Sequence, residues 1–367
     1  MAISRPAPLY NNKIHFFENY ARGPRMLTNA ERASINKLKK EIARLDPTGL
    51  LLVKNIFPNF KASMPFGIAS GAAYGGRFLG MYKELGYGFL TQKTVRDREW
   101  EANPMPHSFY LSKGSFGKGF VTSSKPTEMM ANSFGMHCLG PKVWEPELAA
   151  FKGENHSVPL IISGVITQAR SHDEIIGQYV EIGKKAEKIG ADAYEINISC
   201  PNEMAGNSKD IQDDAAFTGE ILEELTRKLG IPILVKIGHR ENLETFALVV
   251  APLLSGRGGI VAINSKPAAV RNGHGSYAFG SSRPKAGISY KPLKPYAKDA
   301  LKQLLKVRKE TGHNFKIFSV GGVVTPGDVL ERLRMGADAV ESAAAAVSRP
   351  TFALEVKKRL LQSISKE

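Results

Sequence analysis

The run Tyr194-Glu195-Ile196-Asn197-Ile198-Ser199-Cys200-Pro201-Asn202 brings two carboxamides and a thiol close together. Tyr194, Ile196 and Ile198 alternate with Glu195, Asn197 and Ser199, the period of a strand. Pro201 biases Cys200 away from helix and stops ladder pairing, so the polar groups gather where the strand ends. Carboxamides donate and accept hydrogen bonds, which suits a flat heterocycle with carbonyl and N–H edges. A thiol with a tuned pKa can move a proton as a base. A lone cysteine is more often simply buried, so the weight falls on its surroundings.

Other residues offer the same kind of chemistry. Lys236 ends the apolar run Ile231-Pro232-Ile233-Leu234-Val235, and a lysine there is costly unless something anionic meets it. The bland alternative is a lysine snorkelling from the strand end. Lys93 and Thr94 close Leu90-Thr91-Gln92, with the same two readings for the lysine. Asn132-Ser133-Phe134-Gly135-Met136 and Asn264-Ser265 add further carboxamides, each of which alone would be an ordinary turn residue. Gly287, Gly321 and Gly322 could let backbone N–H groups approach an anion, although most glycines serve turns.

The elements that must position these groups alternate. Strands are expected near Phe66–Ala69, Tyr87–Thr91, Leu160–Val165, 192–198, Ile231–Lys236, Gly259–Asn264, Lys316–Val320 and Asp338–Ser342. Helices are expected between and after them, as at Arg77–Leu85, Asp173–Ile189, Leu243–Leu254, Pro295–Glu310 and Thr351–Leu361. Eight such units predict an α/β protein, a (β/α)8 TIM barrel. An open doubly wound sheet is the alternative, but no strand is followed by Gly-x-Gly-x-x-Gly. Gly71, Lys93, Asn202, Lys236, Asn264 and Gly322 each follow or end a different predicted strand, where barrel active sites sit. Residues 1–25 read as an arm or loop. Thr28-Asn29-Ala30-Glu31 could cap a helix to about Leu45, whose apolar stripe is expected to dock on its own domain. Residues 96–158 read as irregular, and 266–286 as a long loop. The expected division is an N-terminal arm and helix over 1–60 and a barrel over 61–367.

The chain has 367 residues, 43% hydrophobic and 23% charged, as in an ordinary globular protein. No apolar run is long enough to span a membrane. Two cysteines make no disulfide framework, no metal site is expected, and a cytoplasmic location fits. The net charge of +15 could attract a phosphate-bearing cofactor, a carboxylate or nucleic acid, and does not choose among them.

Asn197-Ile198-Ser199-Cys200-Pro201-Asn202 resembles the active-site loop of dihydroorotate dehydrogenases, flavin enzymes of pyrimidine synthesis. The likeness recurs from about Met64 to the C-terminus. It implies FMN across the barrel mouth with dihydroorotate stacked on it. Cys200 would take a proton from C5 of the substrate while a hydride passes from C6 to flavin N5. It implies that Lys93 lies near both flavin and substrate, and that Asn132, Phe134, Gly135, Met136, Asn197, Asn202, Asn264 and Ser265 hold the pyrimidine. Ala69, Ser70, Gly71, Thr94, Asn197 and Lys236 would contact the flavin, with Gly287, Gly321 and Gly322 on its phosphate side. After the last strand the family usually has Gly-Thr or Gly-Ser. Here Ser342-Ala343-Ala344 stands there, so Ala343 and Ala344 would offer backbone N–H groups without the hydroxyl.

A cysteine rather than a serine at 200 resembles the soluble class, and the family suggests a homodimer. The Lys93 neighbourhood and Asn264-Ser265 look most like the fumarate-using subgroup. NAD through an iron–sulfur partner, or a quinone site on the N-terminal helix, are the other acceptors to weigh. No nucleic-acid partner and no stable membrane insertion are expected. Two other readings stand beside this one: a tRNA-dihydrouridine synthase, and a degenerate barrel that binds without catalysing.

Overall fold

The computed structural model describes residues 9–11, 13–199 and 211–365. Eight parallel strands close into a barrel: β1 (Phe66–Ala73), β2 (Leu90–Val95), β3 (Leu160–Gly164), β4 (Ala193–Asn197), β5 (Ile233–Ile237), β6 (Gly258–Ala262), β7 (Lys316–Ser319) and β8 (Ala339–Ser342). Strand β8 pairs with β1 through Val340↔Phe66 and Glu341↔Gly67, which closes the ring. Helices follow the strands, at Gly76–Glu84, Pro141–Glu154, His172–Ile189, Ala215–Lys228, Leu243–Leu254, Lys294–Thr311, Pro326–Met335 and Phe352–Ile364. The chain is a (β/α)8 barrel, as the alternation predicts.

Strand alternation sorts the side chains. On β4, Tyr194 and Ile196 join the apolar layer shared with the helices, whereas Ala193 joins the barrel interior. The lower interior is apolar, with Phe89, Ile161, Leu234, Val261, Phe318 and Ala339. A hairpin, Lys54–Phe57 with Phe60–Ala62, plugs this end. Its Phe60 ring meets Phe89 edge-on, the centroids 5.5 Å apart.

Two segments differ from expectation. Part of the stretch read as irregular forms strands Ser108–Ser115, Gly119–Ser123 and Met129–Asn132. The expected loop after β6 forms strands Lys266–Arg271 and Lys285–Tyr290. The five strands pair into one small closed sheet with its own core of Leu111, Phe120, Ala131, Val270, Phe279 and Ile288. Both segments leave the C-terminal ends of barrel strands, so this sheet caps the mouth.

The N-terminal segment is not simply an arm either. Phe16–Arg22 is helical, with Phe16 buried and the Tyr20 hydroxyl 2.6 Å from Glu147 Oε2. Helix Asn29–Leu45 begins with the predicted capping box between Thr28 and Glu31. It docks along Phe352–Ile364, burying Ile35 and Ile42, and Lys358 reaches Glu41 at 2.7 Å. No helix among the described residues is long and apolar enough to cross a membrane.

Candidate active site

The barrel mouth is built from strand ends. Lys236 lies on β5 in register with Asn197 of β4, so both point inward at one level. The Lys236 ammonium is buried and donates to the Ser70 carbonyl at 3.4 Å. Ser70 Oγ lies 2.7 Å from Thr94 Oγ1, which lies 3.0 Å from Ser163 Oγ. Asn197 Nδ2 donates to Thr94 Oγ1 at 3.3 Å. Its other end accepts from the Ser199 hydroxyl at 2.7 Å and the Ser199 N–H at 3.3 Å. Asn264 Nδ2, just past β6, donates to Ser199 Oγ at 2.6 Å. One hydrogen-bonded chain thus joins the ends of β1 to β6 across the mouth. Such a chain fixes amide orientations before a ligand arrives.

The cap sheet adds the second half of the site. Asn132 ends a cap strand and pairs with Gly287, to whose carbonyl its side chain donates at 3.4 Å. A side chain at Gly287 would collide with Ser265 Oγ, 2.4 Å from an ideal Cβ. Asn132, Gly287 and Ser265 therefore meet, though they come from two distant segments. The loop Ser133–Met136 is held from outside. Asn103 N–H donates to the Phe134 carbonyl at 2.9 Å, and Arg283 donates to the Ser133 carbonyl at 3.2 Å. Gly135 has φ +84°, and an added Cβ would lie 2.9 Å from the Asn103 side chain. Met136 holds the next positive φ, +50°, and its carbonyl accepts from Arg96 at 2.7 Å.

Lys93 sits on β2 at the rim and donates to the His137 carbonyl at 3.1 Å. The Phe16 ring lies 5.8 Å from its ammonium, a cation–π contact. Phe16 also packs on His137 and Tyr74, so the N-terminal helix covers this side of the mouth. Burial and the nearby Lys93 charge hold the His137 imidazole well below its usual range.

Gly321 and Gly322 follow β7 with φ of +91° and +67°. The buried Arg332 guanidinium fixes the turn by donating to the Gly321 carbonyl at 2.6 Å. Ala343 and Ala344 follow β8, the strand beside β7. Ala69, Ser70 and Gly71 lie on the upper part of β1, with Ala69 buried and Gly71 exposed. Cys200 and Asn202 lie outside the described residues.

The structure adds groups that the sequence did not single out. Ser163 and Ser199 bridge the asparagines and threonine. Beneath them, inside the barrel, lie the side chains of Glu195 and Glu341, both fully buried. Thr91 Oγ1 donates to Glu341 Oε1 at 3.1 Å, while among the described residues Glu341 Oε2 has no hydrogen-bond partner and Glu195 has only the Ser163 hydroxyl beside it, outside good hydrogen-bond geometry. Burial pushes both carboxyls up. For Glu341, raised to about 8, the charge of Glu195 adds to the rise and Lys236 opposes it. For Glu195, Lys236 and then the neighbouring Ser163 oppose the rise. The signal for Glu195 was its place two residues before Asn197, on the same strand face.

Comparison with known proteins settles the family. A family model for dihydroorotate dehydrogenase matches residues 52–364. The chain belongs to the dihydroorotate dehydrogenase family. It is 26% identical to the dihydroorotate dehydrogenase of Dictyostelium discoideum over 370 residues, covering 95% of this chain and 96% of that one. It is 28% identical to a quinone-type dihydroorotate dehydrogenase of Thermus thermophilus, covering 78% and 74%. It is also 28% identical to an Aeropyrum pernix protein provisionally named as the fumarate type, covering 77% and 83%. The family match begins ahead of β1 and runs into the last helix, so it takes in the whole barrel and its cap sheet.

Proposed function

We propose that this protein oxidises dihydroorotate to orotate with FMN as its cofactor. The observation that carries this is the hydrogen-bonded chain from Lys236 through Ser70, Thr94, Asn197 and Ser199 to Asn264, which lines one planar mouth with amides and an ammonium. FMN supplies the hydride acceptor, and the family match supports that choice. The residues fit such a group. Lys236 is a buried ammonium with one long hydrogen bond, placed to face a ring that gains negative charge. Gly71 has φ +116° and open space where a Cβ would stand, so a flat ring can approach the backbone. The turns at Gly321-Gly322 and Ala343-Ala344 are neighbours and suit a phosphate through N–H groups.

The residues then divide the work. Asn132, Asn197 and Asn264, with Ser265 and the loop Phe134-Gly135-Met136, orient the pyrimidine. Lys93 balances the substrate carboxylate, and its place at the rim beside Thr94 keeps it near the cofactor. Asn202 completes the amide set. Cys200 is the base that removes the C5 proton. We further propose fumarate as the acceptor, in keeping with the name of the Aeropyrum relative, and a homodimer in the cytoplasm.

An anaerobic visible spectrum before and after dihydroorotate tests the reading. The expected result is a bound-flavin spectrum that bleaches on addition. A flavin that stays oxidised with dihydroorotate, yet is reduced by NADPH and reoxidised by tRNA, would replace this function with tRNA reduction. Purified protein that takes up no FMN would overturn the cofactor assignment.

A further inference from the structure

The two buried glutamates have no part in the chemistry above. Glu195 comes from β4 and Glu341 from β8, and both point into the barrel between its apolar floor and the polar mouth. Asn197 is one pleat above Glu195 on the same face, and Lys236 is in register with Asn197. From β2 the pair faces Thr91 and from β3 Ser163. From β1, β6 and β7 the interior residues are the apolar Ala69, Val261 and Phe318. Lys93, two residues past Thr91 on β2, is the next charge toward the mouth. Two buried carboxylates and one buried ammonium therefore face the same stretch of barrel interior, and Glu341 Oε2 and both Glu195 oxygens lack a well-formed hydrogen bond among the described residues. Two ionised carboxylates so placed repel each other and are poorly solvated, so one keeps a proton. With that proton, one carboxylate balances Lys236 and the cluster is neutral.

We propose that Glu195 and Glu341 form a proton-sharing pair that sets how much of the Lys236 charge is available to the group bound above it. The pair positions charge and does not touch the substrate. This rests on the FMN reading for its consequence, though not for the shared proton itself. Burial and the neighbouring Glu195 charge raise the Glu341 carboxyl to about 8, so the pair is expected to lose its proton only on the alkaline side of neutrality. A negative charge placed over Lys236 weakens the hold of that ammonium on the carboxylates, so the pair keeps its proton to higher pH. Between those limits, two-electron reduction of bound flavin draws one proton from solvent onto the pair, in addition to the one the ring takes.

Two measurements test this on the full chain. The first is infrared difference spectroscopy of flavin-free protein at neutral pH, wild type against Glu341→Gln and Glu195→Gln. A protonated-carboxyl band present in wild type and lost in Glu341→Gln is expected; no such band in wild type overturns the proposal whatever the cofactor is. The second is the midpoint potential of bound flavin against pH. One extra proton per two electrons is a further tenfold per pH unit, so above about pH 8 the wild-type slope should be steeper than that of Glu341→Gln by about 30 mV per unit. Equal slopes, with the band present, overturn the link to Lys236. Failure to bind flavin would count against the proposed cofactor, and the infrared result would still decide the shared proton. Glu195→Gln, judged by the same two readouts, covers the case in which Glu341→Gln misfolds.

Discussion

Replacing Glu341 by glutamine should stabilise the protein at alkaline pH. Glutamine has nearly the shape of a protonated glutamate and can still accept the Thr91 hydrogen bond. In the wild type, burial raises this carboxyl from 4.5 to about 8. A group whose folded pKa lies above its unfolded one binds its proton more tightly when folded. Its contribution is therefore fully present below about pH 4.5 and is lost as pH rises to about 8. At about 1.4 kcal/mol per pH unit, a rise of this size is worth on the order of a few kcal/mol. At acid pH both proteins carry a neutral group at this position, so wild type and Glu341→Gln should unfold at similar urea concentrations near about pH 4. At about pH 9 the variant should be the more stable by several kcal/mol. Chemical denaturation of both proteins at matched pH values reads the difference directly. Parallel curves across that range would refute the claim that the ionised Glu341 is held at a cost inside the barrel.

Four other outcomes are expected. Cys200→Ala should slow flavin reduction by dihydroorotate about 10²–10⁴-fold in anaerobic stopped flow while leaving orotate binding in place; equal rates would remove Cys200 from the base role. Asn197→Ala removes the partner of Thr94 and Ser199, and should cost about 1–3 kcal/mol of stability and loosen flavin, read by melting and by released flavin fluorescence. Gly135→Ala forces a side chain into a left-handed turn against Asn103 and should cost about 1–3 kcal/mol, lowering Tm by a few degrees and raising the KM for dihydroorotate. Phe16→Ala removes a buried ring from the rim and should cost about 3–5 kcal/mol in packing; an unchanged Tm would mean that the N-terminal helix does not rest on Lys93 and His137.

The barrel was legible because its signal is local. Most strands are short apolar runs with a polar residue at or just past the end, and a helix with its own apolar stripe comes before the next strand of the barrel. Asn197, Lys236 and Asn264 stood out for the same reason, as polar residues at strand ends. The cap sheet was not legible, because Asn132 pairs with Gly287, 155 positions away, and nothing in either segment alone announces the other. Phe16 was hidden likewise: its burial depends on Tyr74 and His137, not on its neighbours in sequence. Glu341 is the hardest case. A glutamate between Val340 and Ser342 looks like a solvent-facing strand position, and only the closure of β8 onto β1 turns it inward.

That closure also explains why a costly pair can persist. The floor of the barrel, from Phe60 to Phe318, is apolar and interlocked, so the fold does not depend on the layer above it for its core. The mouth must be polar, because the amides and Lys236 have to meet a ligand. Glu195 and Glu341 lie between the two, where dielectric screening is weakest and a change of charge at the mouth is felt most strongly. An apolar pair there would be more stable, yet Lys236 would then be buried without any counter-charge. A fully ionised pair would bind the ammonium downward and blunt its pull on anything above. One proton held between two carboxylates leaves the lysine balanced but still able to respond, which is the property a redox-active ring over Lys236 would require.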